Sequence, residues 1–254
     1  MPTKMIVTDL DGSLLRTDRT ISRYTASVFH NCSENGIIVV FATARPIRAV
    51  KMLNLDIGND AAIFHNGAVI AIADNAHHHI GVEPEATKAL LLQTAKCFSD
   101  MGLSVEIDDV LYANFDVSTI WSNTTAIMSD FTDLPDIPAD KIIFGTAESD
   151  EVCEIASMLP DDLYSEIAEN QILMVMNKNA RKRNAVKKVA EYYGIPLSDI
   201  VAFGDDFNDI EMLHDCGIGI AVANAIDEVK AVADYICETN DNDGVAKWLE
   251  ENVL

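Results

Sequence analysis

Basic residues are scarce in this chain. Lysine and arginine number 18 against 41 aspartates and glutamates, a formal net charge of −23 over 254 residues, with an isoelectric point near 4.4. That balance argues against binding nucleic acid or anionic lipid through a broad basic face. It also repels phosphate esters, so a phosphate site would need local cations or helix N-termini. Cysteine is sparse as well: Cys32, Cys97, Cys153, Cys216 and Cys237 are odd in number and form no CxxC pair, which fits free thiols in a reducing compartment. No apolar run reaches the roughly 18 residues that span a membrane. Met-Pro-Thr-Lys leads straight into the first strand without a basic-then-apolar leader. The expectation is a soluble, cytoplasmic protein. With 49% hydrophobic and 23% charged residues, the composition is that of an ordinary globular chain, long enough for one large domain or two smaller ones.

One stretch organises the rest. Met5-Ile6-Val7 is a short apolar run that reads as a buried strand, and it breaks into Asp9-Leu10-Asp11-Gly12. Residues i and i+2 share a face while a strand persists, so both carboxylates can converge where the chain turns at Gly12. A solvated Asp-Gly turn would look the same locally; the remaining strand ends decide.

A helix between Asp18 and Asn35 follows, then apolar strands at Ile37–Ala42 and Ala61–Phe64, with a helix at Ile47–Leu53 between them and a further strand at Val69–Ala73. Continuous apolar strands alternating with helices predict a parallel sheet covered on both faces, whose ligands bind beyond the carboxyl ends of the strands. Asp9, Asp11, Thr43 and Asn66 all stand at such ends. The middle of the chain differs. A helix at Glu83–Ser99 precedes a hairpin of Leu103–Ile107 and Val110–Phe115 around Asp108-Asp109. A strand at Lys141–Phe144, a helix at Glu148–Leu159 and strands at Tyr164–Ile167 and Ile172–Met176 complete an α+β unit. From Arg181 the first pattern resumes: a basic helix, a strand Ile200–Phe203 ending in Gly204-Asp205-Asp206-Phe207-Asn208-Asp209, a helix Ile210–Asp215, a strand Gly217–Val222, a helix Asn224–Ala233, a strand Tyr235–Ile236 and a last helix Val245–Leu249. The fold class is therefore α/β, a Rossmann-like parallel-sheet core (1–82 and 178–254) interrupted by an α+β module (83–177).

The strand ends together supply Asp9, Asp11, Thr43, Asp205, Asn208 and Asp209, with the cationic Lys182 nearby. Hard oxygen ligands of this kind suit Mg2+. One carboxylate can attack phosphorus while the ion and the lysine neutralise phosphoryl oxygens, and a carboxylate two residues later can protonate the leaving oxygen and then deprotonate water. Thr43 as a mere helix cap, Lys182 as a solvated lysine and Asp205 to Asp209 as a polar turn are each reasonable alone; all three at matching strand ends is a much rarer coincidence.

With these residues assembled, the chain resembles the haloacid dehalogenase (HAD) superfamily, specifically its Cof-like phosphatases with a type IIB cap, over essentially its whole length. Asp9-Leu10-Asp11-Gly12-Ser13-Leu14 resembles the first motif, DxDGT(L/V), and Gly204 to Asp209 the fourth, GDxxND. The resemblance implies Asp9 as nucleophile and metal ligand. Asp11 becomes the general acid/base, with its carbonyl on the metal. Asp205 and Asp209 complete a Mg2+ site, with Asn208 supporting it, and Thr43, Lys182 and Asn208 become phosphate-binding residues. Arg45, beside Thr43, and Asn66 are expected substrate contacts. His65-Asn66-Gly67-Ala68, Ala223-Asn224-Ala225 and Asn242-Asp243-Gly244-Val245 also match Cof-like phrases. The implied function is Mg2+-dependent hydrolysis of a small phosphorylated metabolite, a sugar phosphate above all, by a monomer or homodimer. Phosphotransfer between sugar hydroxyls and a non-catalytic phospho-aspartate switch are the rivals.

Three positions depart from the pattern. Ser13 replaces Thr and keeps the hydroxyl; Ala44 replaces Gly; Arg183 replaces the Gly that usually follows the lysine, which leaves Lys178 and Lys187 as competitors to Lys182. His77-His78-His79 is read as a solvated loop rather than a metal site, and Tyr112 and Trp121 as packing residues of the inserted module.

Overall fold

The computed structural model describes residues 3–72, 76–122, 124–146, 148–168 and 171–254. Ala73 and the side chain of His77, which figured in the sequence expectations, lie outside the described residues. In chain order the elements begin with β1 (Met5–Thr8), α1 (Arg23–Glu34), β2 (Ile38–Ala42), α2 (Ile47–Leu53), β3 (Ala61–Phe64), β4 (Val69–Ile72) and β5 (Ala76–His79). The middle stretch holds α3 (Pro84–Cys97), β6 (Leu103–Ile107), β7 (Val110–Ala113), β8 (Ile127–Met128), β9 (Lys141–Phe144), α4 (Ser149–Met158), β10 (Leu163–Ala168) and β11 (Ile172–Asn177). Then come α5 (Lys182–Tyr193), β12 (Ile200–Gly204), α6 (Ile210–Asp215), β13 (Ile218–Val222), α7 (Asp227–Val232), β14 (Tyr235–Cys237) and α8 (Gly244–Asn252). Two compact units result: Met1–His78 with Arg181–Leu254, and His79–Ala180.

The first unit is built on an eight-stranded sheet of order β14-β13-β12-β1-β2-β3-β4-β5. β1 pairs in parallel with both β12 and β2. Strands made early therefore lie on one side of β1, and strands made late on the other. That reversal opens a crevice beyond the carboxyl end of β1, the place where open α/β sheets bind ligands. β4 departs from the parallel expectation, running antiparallel to β3 because only a three-residue 3₁₀ turn, His65–Gly67, joins them. Met5, Ile6, Val7, Val39, Val40, Val201, Ala202 and Phe203 are fully buried, as strands covered on both faces must be.

The second unit carries a six-stranded sheet, β10-β11-β9-β6-β7-β8. Leu103, Val105, Ile107, Ile142, Phe144, Leu173 and Val175 form one core cluster with Leu90, Leu91 and Ile155 of α3 and α4. Their period of two marks the face that the helices cover. The hairpin turn at Asp108 and Asp109 takes φ of 51° and 61°, the left-handed pair that matches the twist of the flanking strands. Tyr112 packs on the main cluster, and Trp121 joins a smaller one with Leu111, Ala113 and Val117, so both serve packing. His78 and His79 lie in β5 rather than in a loop.

Each unit holds one of the two tryptophans, Trp248 and Trp121. Phe203, fully buried on β12, meets Trp248 edge-on with ring centroids 5.7 Å apart. Phe203→Ala should destabilise the first unit by about 3–5 kcal/mol. Urea unfolding followed by Trp248 fluorescence in a Trp121→Phe background measures this, and a change under about 1 kcal/mol would show that the ring is not part of a tight core.

Candidate active site

The site is assembled from the carboxyl ends of β1, β2, β3 and β12 and the start of α5. Asp9 follows β1 directly and is 6% exposed; its backbone N–H bonds Phe203 O at 3.0 Å, which ties the strand end to β12. Lys182, the first residue of α5, is 1% exposed, and its Nζ donates to Asp9 Oδ1 at 2.5 Å and to Asp209 Oδ1 at 2.7 Å. Burial alone would lower this ammonium's pKa, but Asp209 and Asp9 hold it above the ordinary lysine value. Asp9 is raised well above the ordinary carboxylate value by burial and by its neighbours Asp209 and Asp205, against the opposing pull of Lys182.

Asp209 is fully buried and accepts three hydrogen bonds. Its Oδ2 accepts from the backbone N–H groups of Asp205 and Asp206 at 3.0 and 3.3 Å, while Oδ1 takes Lys182. Asp205 is different: Ser13 Oγ donates to its Oδ1 at 2.8 Å, and among the described residues no protein group donates to its Oδ2 or to Asp9 Oδ2. Burial, with Asp209 adding to it and the Ser13 bond opposing, pushes the Asp205 carboxyl up to about 7. Asp9, Asp205 and Asp209 each present an oxygen within 4.8 Å of the others. Three carboxylates around a single lysine leave a surplus of negative charge, with two oxygens undonated. That donor set fits a hard divalent cation.

The loop after β1 closes over this cluster because Gly12 has no side chain. At φ +79°, a Cβ there would lie 2.3 Å from Asp205 Oδ2. Asp11 points differently from Asp9: its carboxylate is 48% exposed and is gripped by Arg45, with Nε on Oδ2 at 2.5 Å and a terminal nitrogen on Oδ1 at 2.6 Å. Thr43, 1% exposed at the end of β2, accepts from Arg45 N–H through Oγ1 at 3.1 Å. Asn208 donates from Nδ2 to Oδ1 of the buried Asn66 at 3.0 Å.

The structure thus brings Asp9, Asp205, Asp209 and Lys182 into direct proximity, pairs Asp11 with Arg45, and pairs Asn208 with Asn66. Of the competing lysines, Lys187 bonds Asp215 at 2.7 Å, and Lys178 lies in the other unit. Arg183 turns away to Asp215 at 2.5 Å and Glu211 at 3.7 Å, so an arginine is accommodated after the lysine without entering the cluster. Sequence reasoning missed the brace behind the first loop. Asn224 Nδ2 donates to Gly12 O at 2.7 Å, Asn240 N–H donates to Asn224 Oδ1 at 3.0 Å, and Asn240 Nδ2 donates to Leu15 O at 2.9 Å. The Ala223-Asn224-Ala225 phrase was a signal for the first of these; Asn240 carried none.

A family model described as haloacid dehalogenase-like hydrolase matches residues 6–249. The 5-amino-6-(5-phospho-D-ribitylamino)uracil phosphatase YitU of Bacillus subtilis is 30% identical over 97% of this chain and 96% of its own length. The HMP-PP phosphatase of Cronobacter sakazakii is 27% identical, over 88% of this chain and 85% of its own. Among solved structures, BT1666 of Bacteroides thetaiotaomicron, from a study of HAD-superfamily phosphatases, superposes with a TM-score of 0.88 at 22% identity, covering 100% of this chain and 96% of that one. A family model that takes in both the Asp9 loop and the Asp205 loop, with relatives matched almost end to end, establishes that the chain belongs to the haloacid dehalogenase-like hydrolase family.

Proposed function

We propose that this protein is a Mg2+-dependent phosphatase acting on a small phosphorylated metabolite through an aspartyl-phosphate on Asp9. The observation that carries the reading is the Asp9 carboxylate itself: buried, held on one oxygen by Lys182, and with no donor to the other among the described residues. Asp9 and Asp205 are the groups that would hold the metal, and the bound ion would neutralise phosphoryl oxygens as charge builds on them. Asp209 keeps the lysine and the Asp205 loop in place through its bonds to Lys182 and two backbone N–H groups, and it offers an oxygen to the same cluster.

In the first half-reaction a carboxylate oxygen of Asp9 bonds to phosphorus as the ester oxygen departs, taking a proton from Asp11. In the second, Asp11 removes a proton from water, the water oxygen bonds to phosphorus, and the Asp9–phosphorus bond breaks to release phosphate. Thr43, Lys182 and Asn208 line the phosphoryl group. While Arg45 holds both Asp11 oxygens, the carboxyl is turned to the guanidinium and not to a leaving group. Arg45 therefore has to exchange Asp11 for an oxygen of the substrate. The module expected at 83–177 acts as the cap that excludes bulk water. A phosphorylated sugar or sugar-like group is the preferred substrate, in keeping with the phosphoribityl compound in the name of the Bacillus relative.

Phosphate release from a panel of phosphorylated metabolites, with and without Mg2+, tests this directly. Asp9→Asn should abolish turnover, by about 10³-fold or more, with the fold intact. Release that survives in clean mutant protein would remove Asp9 from the nucleophile's role, and isomerised sugar phosphate in place of free phosphate would convert the reading to phosphotransfer. Asp11→Asn should slow hydrolysis of a sugar phosphate by about 10²–10⁴-fold but that of p-nitrophenyl phosphate far less, because nitrophenolate leaves without a proton. Equal losses on both esters would count against the acid role.

Mg2+ affinity should also track pH. The Asp205 carboxyl, raised from 3.8 to about 7 in the metal-free fold, holds its proton more tightly folded than unfolded. Metal-free protein therefore loses stability as pH rises from about 4 to about 7. Cation binding needs the carboxylate, so affinity should climb by up to about tenfold per pH unit towards pH 7 and then level off. Calorimetric titration of Mg2+ at about pH 5.5 and pH 8 measures it; equal affinities would rule out proton displacement at this site.

A further inference from the structure

The short turn between β3 and β4 holds three successive residues with positive φ. His65, Asn66 and Gly67 take φ of 48°, 55° and 113° in succession, the left-handed region that side chains other than those of Asn and Asp resist. All three residues are buried. Strain of this kind persists only where the surroundings enforce it, and here they are the other pieces of the candidate site. Asn66 N–H bonds Thr43 O at 3.0 Å, and His65 N–H bonds Arg45 O at 3.2 Å. Gly67 lies so close to the start of α5 that a Cβ would be 2.6 Å from Arg181 O and 2.8 Å from Arg181 C, one residue before Lys182. The Asn66 side chain completes the set, its Oδ1 accepting from Asn208 Nδ2.

We infer that Asn66 is a positioning residue that acts through Asn208, rather than a group that binds substrate by itself. This rests on the phosphatase reading above, in which Asn208 meets the phosphoryl group. The Asn208 amide is half-buried and can rotate about its terminal torsion, so without a partner it would sample both orientations. The bond to Asn66 takes up one N–H and fixes the plane of the amide, leaving its other N–H for a phosphoryl oxygen. Asn66 is 2% exposed and is anchored at its backbone to the residue that carries the Thr43 hydroxyl. The spacing between the Thr43 and Asn208 donors is thus set by one side chain. An asparagine suits the position because it tolerates the left-handed backbone and carries the acceptor on a short stem.

The test separates the side chain from the backbone. Asn66→Gly keeps the left-handed turn, which glycine adopts freely, and removes only the acceptor, so the protein should fold as before. Alone it should weaken inorganic phosphate binding in the presence of Mg2+, and kcat/KM for p-nitrophenyl phosphate, by about tenfold. Asn208→Ala should lose at least as much, and adding Asn66→Gly to Asn208→Ala should cost nothing further, which is the signature of one residue acting through the other. If the two losses multiply in the double variant, or if Asn66→Gly alone changes binding and turnover by less than about twofold, the inference falls. The phosphatase reading fails separately: wild-type protein that hydrolyses no ester refutes it, and the phosphate-binding arm of the cycle then still decides the role of Asn66. Wild-type protein that binds no phosphate either would overturn both.

Discussion

The Lys182 ammonium, wedged between Asp9 and Asp209, is the contact on which the site depends. A cation at the first position of a helix stands at the wrong end of the macrodipole, and Lys182 is moreover buried at the start of α5 with no side-chain cap on Arg181. Two carboxylates at 2.5 and 2.7 Å offset both penalties. The converse holds as well. In a chain with so strong an acidic surplus, Asp9, Asp205 and Asp209 could not be packed together without an internal cation, because an unpaired buried charge is strongly destabilising. Asp209 then passes the constraint on, since its second oxygen gathers the N–H groups of the Asp205 loop. One ion-pair network thereby registers three elements distant in sequence.

Much of this is legible in the sequence, for a physical reason. A strand buried on both faces must be apolar until it ends, so a carboxylate, a threonine or a GDxxND run immediately after such a strand announces the rim of the crevice. Asp9, Thr43 and Asp205 could be placed in that way. Lys182 followed from spacing, although Arg183 obscured the pattern; the structure shows Arg183 leaving for Asp215, a contact that no local rule encodes. The hairpin at Asp108-Asp109 was equally readable, because two adjacent residues that accept positive φ leave few alternatives.

What escaped the sequence was long-range and polar. The Asn224 and Asn240 side chains reach back more than 200 residues to the Asp9 loop, and nothing in their neighbourhoods identifies that destination. α7 begins at Asp227 and not at Asn224, because the backbone first turns with Ala225 N–H bonding Val222 O and Ile226 N–H bonding Asp205 O. The Arg45 grip on Asp11 was hidden for a related reason, since an arginine beside a crevice has several partners within reach. The two-residue β8 and the β5 strand carried too little hydrophobic pattern to separate them from loop.

The sheet order has a consequence for the birth of the molecule. The Asp9 loop is made before the supports that hold it. β1 waits for β12 on one flank, Asp9 waits for Lys182, and the Asn224–Asn240 brace comes later still. Within the inserted unit the hairpins β6–β7 and β10–β11 close over short spans, whereas β9 pairs with β6 and with β11 across longer ones. The Asp9 cluster can therefore assemble only after the hairpins of the inserted unit have been made.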